Sequence, residues 1–442
     1  MKKTARFIRP EIALIIVWGL ELIFLAWMPP FLEALAAWLM ILYLLLNIPF
    51  IRGENIILCL LIVISIALIT AYSGNWAAIY KGFQDATIFM GFFGSIILLR
   101  AAAQQRPEIQ LTRNLFKKLK AEQTNAAFLV GAHLIGSVLV VGVMAILAPI
   151  LKSDVDTVHR RRVAEVCQRG MCLAPLWSPF WVASAFATQK IPGVSAWQIM
   201  GTGLVLAGLG LVVAHLMFSG SVRLGDLRRA LLGFMPILPP VIICGLLIVS
   251  FSAGLGFSSL EALIATVPLI TVIALVSSKT SSVKKVIRDT WRGSKTISNE
   301  IIIVTMALIL GRVLEAGIGN AGIADSLSGL KLPGWFVIAC VIGIITTASL
   351  VGIHQLVSII VVLIIVIPME TGVSAIVLLQ ATLVGWAFAS MVGITAVSTA
   401  TASNMFAVPR SKLAFGPNLL FVAVFGSMAV ICLFTANVFL FT

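Results

Sequence analysis

The chain has 442 residues, 60% of them hydrophobic and only 11% charged, with a mean hydropathy of +1.09. Soluble domains carry roughly 25% charged residues, so a soluble globular protein is excluded. The net charge of +14 sits in short loops between apolar runs, where it sets orientation and meets anionic headgroups; nucleic-acid binding is not implied.

Apolar runs recur from end to end, each near the roughly 20 residues that span a ~30 Å hydrocarbon core. With Lys2, Lys3, Arg6 and Arg9 taken as cytoplasmic, helices at 11–28, 33–50 and 56–72 leave the chain outside. The first run is too long for a signal-peptide core and reads as a retained helix. A fourth helix, 82–100, returns the chain to a basic, amphipathic segment at 100–124, which is predicted to lie along the membrane surface.

The 125–151 segment has basic residues on both flanks, so it reads as a hairpin opening to the cytoplasm. Helices at 171–189 and 197–218, then 232–253 and 259–276, make two excursions outward and back. A helix at 299–318 goes out. The 334–370 run, interrupted at Thr346-Thr347-Ala348-Ser349 and Gly352, reads as a second hairpin, opening outward. A broken helix at 373–402 comes in, and 418–440 ends outside.

Under this threading all but four of the 31 lysines and arginines fall in seven cytoplasmic stretches. The predicted fold is an all-α polytopic membrane protein with about 11 transmembrane helices plus two re-entrant hairpins in an inverted repeat. Its predicted parts are 1–124 (scaffold helices with the amphipathic segment), 125–218 (first transport half), 219–333 (scaffold with a basic loop) and 334–442 (second transport half). Gly131-Ala132-His133 with Ser137 echoes Gly352-Ile353-His354 with Ser358, a weak internal match.

This layout resembles the ion transporter superfamily, and within it the divalent anion/sodium symporter branch. The resemblance covers the topology of essentially the whole chain. It implies a rigid, dimer-forming scaffold and a mobile transport domain built from the hairpins and broken helices. The Ser-Asn-Thr hairpin motifs of that branch are absent here: the first tip, near Gly136-Ser137, and the second, with Thr346, Thr347 and Ser349, lack asparagine.

Free helix ends at the bilayer midplane suit an anion without a charged side chain. Pro179 in Trp177-Ser178-Pro179 removes a backbone donor and predicts a break in the 171–189 helix. Ser390-Met391-Val392-Gly393, with Thr395 and Ser398 after it, is the matching break. Candidate substrate contacts are therefore Ser137, Trp177, Ser178, Pro179, Thr346, Thr347, Ser349, His354, Gln355, Ser390, Thr395 and Ser398. His354 and His133 are ionisable groups within apolar segments and are the coupling candidates, although a backbone-bonded neutral imidazole is the plainer reading of His133. Arg312 and Glu315 can pair on one helical face; Asp85 carries no assigned role.

The expected function is secondary transport of a small organic anion across the cytoplasmic membrane, elevator-like and coupled to protons or sodium. The expected partners are that substrate, the coupling ion, membrane lipids and a second copy of the chain, with no metal or cofactor. A permease subunit working with a separate solute-binding protein is the alternative. A membrane-embedded enzyme is less favoured, because the spans show no carboxylate pair or nucleophile–base constellation.

Overall fold

The computed structural model of the chain describes residues 9–25, 27, 29–51, 53–105, 121–151, 155–218, 224–235, 238–277, 282–320, 329 and 332–441. Most of the amphipathic 100–124 segment, and parts of several basic loops, lie outside these residues. The described chain is α-helical, and eight of its helices are long and apolar enough to cross a membrane. A ninth is added if the pair Val283–Ser294 and Ser298–Gly317, bent by 52°, forms one span. The protein is an all-α, multi-pass membrane protein.

The helices divide between two compact units. The first holds α1 (Pro10–Phe24), α2 (Pro30–Asn47), α3 (Gly53–Ser73) and α4 (Ala77–Ala103). The second then takes α5 (Ala121–Leu139), α6 (Val143–Leu147), α7 (Thr157–Cys172), α8 (Val182–Lys190), α9 (Ala196–Phe218), α10 (Leu224–Gly233) and α11 (Leu238–Leu255). The chain returns to the first unit for most of α12 (Ser259–Ser277), for α13 (Val283–Ser294) and for α14 (Ser298–Asn320). The second unit is completed by α15 (Gly334–Leu350), most of α16 (Gln355–Val366), α17 (Ala375–Val392), α18 (Val397–Phe406), α19 (Arg410–Ala414) and α20 (Pro417–Leu440).

In the first unit α1 packs on α2 and α14 runs along α3. Arg312 on α14 forks both oxygens of Asp85 on α4 and also reaches Glu315 at 3.2 Å. The Arg312–Glu315 pair thus forms as expected from its spacing. Asp85, which carried no assignment, proves to be the stronger partner.

The second unit is built around α17, whose residues are buried on every side from Ile376 to Val392. A helix apolar all round belongs at the centre of a bundle, and α15, α20 and α9 surround it. Its closest packing is on α15, while α5 lies along α7 in the same manner.

Two backbone singularities fall between paired elements. Val140, between α5 and α6, has φ 53°, a left-handed conformation that a β-branched residue adopts only under constraint. Gly352, between α15 and α16, has φ 94°. Here the N–H groups of Ile353 and Gly352 donate to Ala348 and Ser349 carbonyls, the paired bonds of a Schellman cap. The interruption of the 334–370 segment therefore lies at Gly352, and Thr346 to Ser349 remain helical. Gly352→Ala should lower the unfolding free energy by about 1–2 kcal/mol, the cost of a left-handed non-glycine residue. Thermal unfolding of the purified variant checks this.

Candidate functional site

α7 starts on Asp156, whose carboxylate accepts the His159 N–H at 2.6 Å. The helix runs to Cys172 and cannot continue through Pro175 and Pro179, which lack a backbone donor. The helix expected at 171–189 is thus two helices. The first begins at Thr157, inside what reads in sequence as a basic loop; the second is α8, and the break spans 173–181.

The first break is tied to α5. Trp177 Nε1–H donates to His133 Nε2 at 3.0 Å, and His133 Nδ1 lies 3.0 Å from the Gly170 carbonyl. Indole nitrogen can only donate, so Nε2 must be the acceptor and Nδ1 must carry the proton. His133 is held neutral with both nitrogens engaged, as in its plainer reading. Ser178 Oγ–H donates to the Ser137 carbonyl at 2.5 Å, and Trp181 Nε1–H donates to the Gly136 carbonyl at 3.2 Å. Ser137 turns its own hydroxyl back to the Leu134 carbonyl. Pro179 and Trp177 line a small cleft beside the break, with Ser184 and Thr188 of α8 and Ile199 and Met200 of α9.

The second break, 393–396 between α17 and α18, is tied to the α15–α16 turn. Thr395 Oγ1–H donates to the Gly352 carbonyl at 3.3 Å, and Ser390 Oγ–H donates to Gln355 Oε1 at 3.3 Å. Ser349 Oγ–H donates to the Ala389 carbonyl, and Ser398 Oγ–H to the Ser390 carbonyl. His354 Nδ1 accepts the Leu356 N–H at 3.3 Å, capping α16 and leaving the proton on Nε2. Thr346 and Thr347 instead spend their hydroxyls on carbonyls of their own helix and do not reach the break.

Apart from Thr346 and Thr347, the sequence candidates therefore gather in two clusters, one at each break. Four positions recur between the two halves. Ser137 and Ser349, Val140 and Gly352, Gln168 and Gln380, and Ser178 and Ser390 are four pairs with one constant separation along the chain. In both sets a serine precedes a left-handed residue, and a glutamine precedes the serine of the break. The echo between His133 and His354 uses a different register, and the two histidines are not equivalent: His133 sits within α5, His354 at the start of α16.

The largest feature not expected from the sequence is a buried polar chain on α7. Glu165 and Arg169 are 3% and 2% exposed. Arg161 Nε–H donates to Glu165 at 2.8 Å, Arg169 Nη2 lies 3.7 Å from the other Glu165 oxygen, and Arg169 Nε–H donates to Asn418 Oδ1 at 2.7 Å. The Arg169 guanidinium also lies 3.7 Å over the Phe218 ring. Asn418 Nδ2–H donates onward to Gln168 Oε1 at 3.3 Å. Arg169, counted in sequence among the cations of the cytoplasmic stretches, is buried inside the second unit. It was hidden because its partners Asn418 and Phe218 are remote in sequence.

No known family profile matches the chain, and no curated protein sequence matches it. Among solved structures, the YdaH transporter of Alcanivorax borkumensis, described as having an unusual topology, aligns with a TM-score of 0.53. The alignment covers 86% of this chain and 98% of that one at 13% identity. The chain thus shares a transporter-type membrane fold with a protein to which its sequence is barely similar.

Proposed function

We propose that this protein is a secondary active transporter that moves a small organic anion across the cytoplasmic membrane by an elevator-like motion, coupled to protons or sodium. The observation that carries this reading is the pair of broken helices, each bonded at its break to the turn or helix end of the preceding element. Broken helices with free N-termini are how inverted-repeat transporters bind anionic groups at the midplane. The half-helices α8 and α18 start without a side-chain cap, at Trp181 and Ala396, so their first N–H groups remain for a ligand. In this reading residues 125–218 and 334–442 form the moving transport domain and 1–124 with 219–333 a dimer-forming scaffold, with the N-terminus cytoplasmic and the C-terminus outside. The fold of the YdaH transporter supports transport in general.

His354 is the coupling candidate we favour over His133. Protonation of its Nδ1 would remove the acceptor for the Leu356 N–H and uncap α16 at the turn that holds Thr395. His133 is the poorer candidate, because it is buried and both of its nitrogens are engaged, by Trp177 and by the Gly170 carbonyl.

The test is uptake of radiolabelled mono- and dicarboxylates by proteoliposomes of the purified chain, under an imposed proton or sodium gradient. One gradient should drive accumulation of at least one such anion. If protons drive it, His354→Gln should abolish gradient-driven uptake and spare exchange of internal for external substrate. Uptake that appears only when a separate binding protein is added would establish the permease alternative. No uptake of any carboxylate under either gradient would overturn the proposal.

A further inference from the structure

Two glutamines that no sequence argument singled out occupy matching places in the two halves. Gln168 stands on α7, the helix leading into the first break, and Gln380 on α17, the helix leading into the second. Both are buried, at 0% and 1% exposure. Neither serves its own break. Gln168 Nε2–H lies 3.5 Å from the Met391 carbonyl and 3.3 Å from Thr399 Oγ1, which stand on the two sides of the second break. Gln380 Nε2–H reaches the Leu176 carbonyl in the first break at 3.3 Å. It also meets the Ile199 carbonyl and Thr202 Oγ1 of α9, both at 3.0 Å.

We propose that Gln168 and Gln380 are positioning residues forming a crossed clasp, in which each half's entering helix holds the backbone of the other half's break. The clasp locks the two breaks into one rigid body, so that a ligand ordering either break is felt at both. This rests on the reading of the breaks as the substrate path, but the geometry of the clasp does not depend on what the substrate is.

The chemistry supports a hold rather than space-filling. Gln380 Oε1 is buried without a hydrogen-bond partner, which is a cost. A methionine would fill the same space without that cost. What the amide adds is its donors, and they all point at the first break and α9. Gln168 shares its environment with the buried Arg169–Asn418 chain, because Asn418 orients its amide by donating to Oε1. A glutamine acting only as general packing glue between helices would loosen the whole unit when removed. A clasp loosens one particular place, and that place is on the other helix.

The test uses the full-length protein with native cysteines replaced and one cysteine introduced at Val182 or Val397. These are the first residues of α8 and α18, just beyond the two breaks. Labelling rates with a methanethiosulfonate reagent are measured in each background, without any substrate. Gln168→Met should raise labelling at position 397 about fivefold, the equivalent of one lost hydrogen bond, and leave position 182 within about twofold. Gln380→Met should do the reverse. Loosening of each variant's own break, of both breaks equally, or of neither overturns the clasp. If a methionine variant does not yield monodisperse protein, the glutamate variant, which keeps an acceptor and loses the donors, replaces it. Failure of both to fold also overturns the proposal, since the clasp would then be a folding element. Because labelling needs no transport, a negative uptake assay and a negative clasp assay remain distinguishable.

Discussion

Gly203→Ala should yield little folded protein, and whatever folds should transport at less than about one-tenth of the native rate. A methyl group at this position of α9 would lie 1.7 Å from the Leu176 carbonyl oxygen and 2.9 Å from the Trp177 Cα. Both obstacles are backbone, so no rotamer change relieves the clash. Either α9 retreats or the first break is pushed out of shape. Retreat also pulls Ile199 and Thr202 away from Gln380, so the damage reaches α17. Gly201 and Gly208 on the same helix have open space where a methyl would go. Alanine there should be neutral or slightly stabilising, because it restricts the unfolded chain. Detergent size-exclusion profiles and vesicle uptake of the three variants check this directly. Equal behaviour of all three would show that α9 does not press on the break.

Arg169→Met should destabilise the protein by about 3–5 kcal/mol, the typical result of removing one partner of a buried ion pair. The substitution leaves the buried Glu165 to Arg161, a partly exposed partner, and to the more distant Arg162, and leaves Asn418 Oδ1 without its donor. It also removes the guanidinium from the face of Phe218. Arg169→Lys should recover little, because an ammonium lacks the planar guanidinium that bonds Asn418, lies over the Phe218 ring and stays beside Glu165 at once. Pairing Arg169→Met with Glu165→Gln should restore part of the loss, since no uncompensated charge then remains. Urea unfolding of the single and double variants in detergent reads the coupling. A double variant as unstable as the sum of the singles would show that the pair does not interact.

The parts of this molecule that were legible in the sequence are those set by local chemistry. Apolar length gave the spans, and α2, α3, α12, α14 and α20 fall close to where hydropathy places them. Trp177-Ser178-Pro179 marked the first break because proline cannot donate, and the dense hydroxyls after Ser390 marked the second. What escaped was set by distant partners. Residues 157–170 read as a cytoplasmic loop because Arg160, Arg161, Arg162 and Arg169 dominate them. They form the start of a largely buried helix because Glu165, Asn418 and the Phe218 ring compensate the charge. The Gly-His echo does not coincide with the pairs of constant separation, whereas the Ser178 and Ser390 breaks matched in sequence do, and Val140 gives no sign in sequence of its left-handed backbone.

The central claim is that the second unit contains two halves of opposite orientation, and cysteine sidedness tests it most directly. Single cysteines at Thr124 and Asp156 flank the 125–151 segment, and cysteines at Pro333 and Glu370 flank the 334–370 segment. Each is probed with a membrane-impermeant thiol reagent in right-side-out and inside-out vesicles. The account predicts labelling of positions 124 and 156 only from the cytoplasmic side, and of 333 and 370 only from the outside. Flanks of either segment found on opposite sides of the membrane would contradict it, and the inverted repeat would fall.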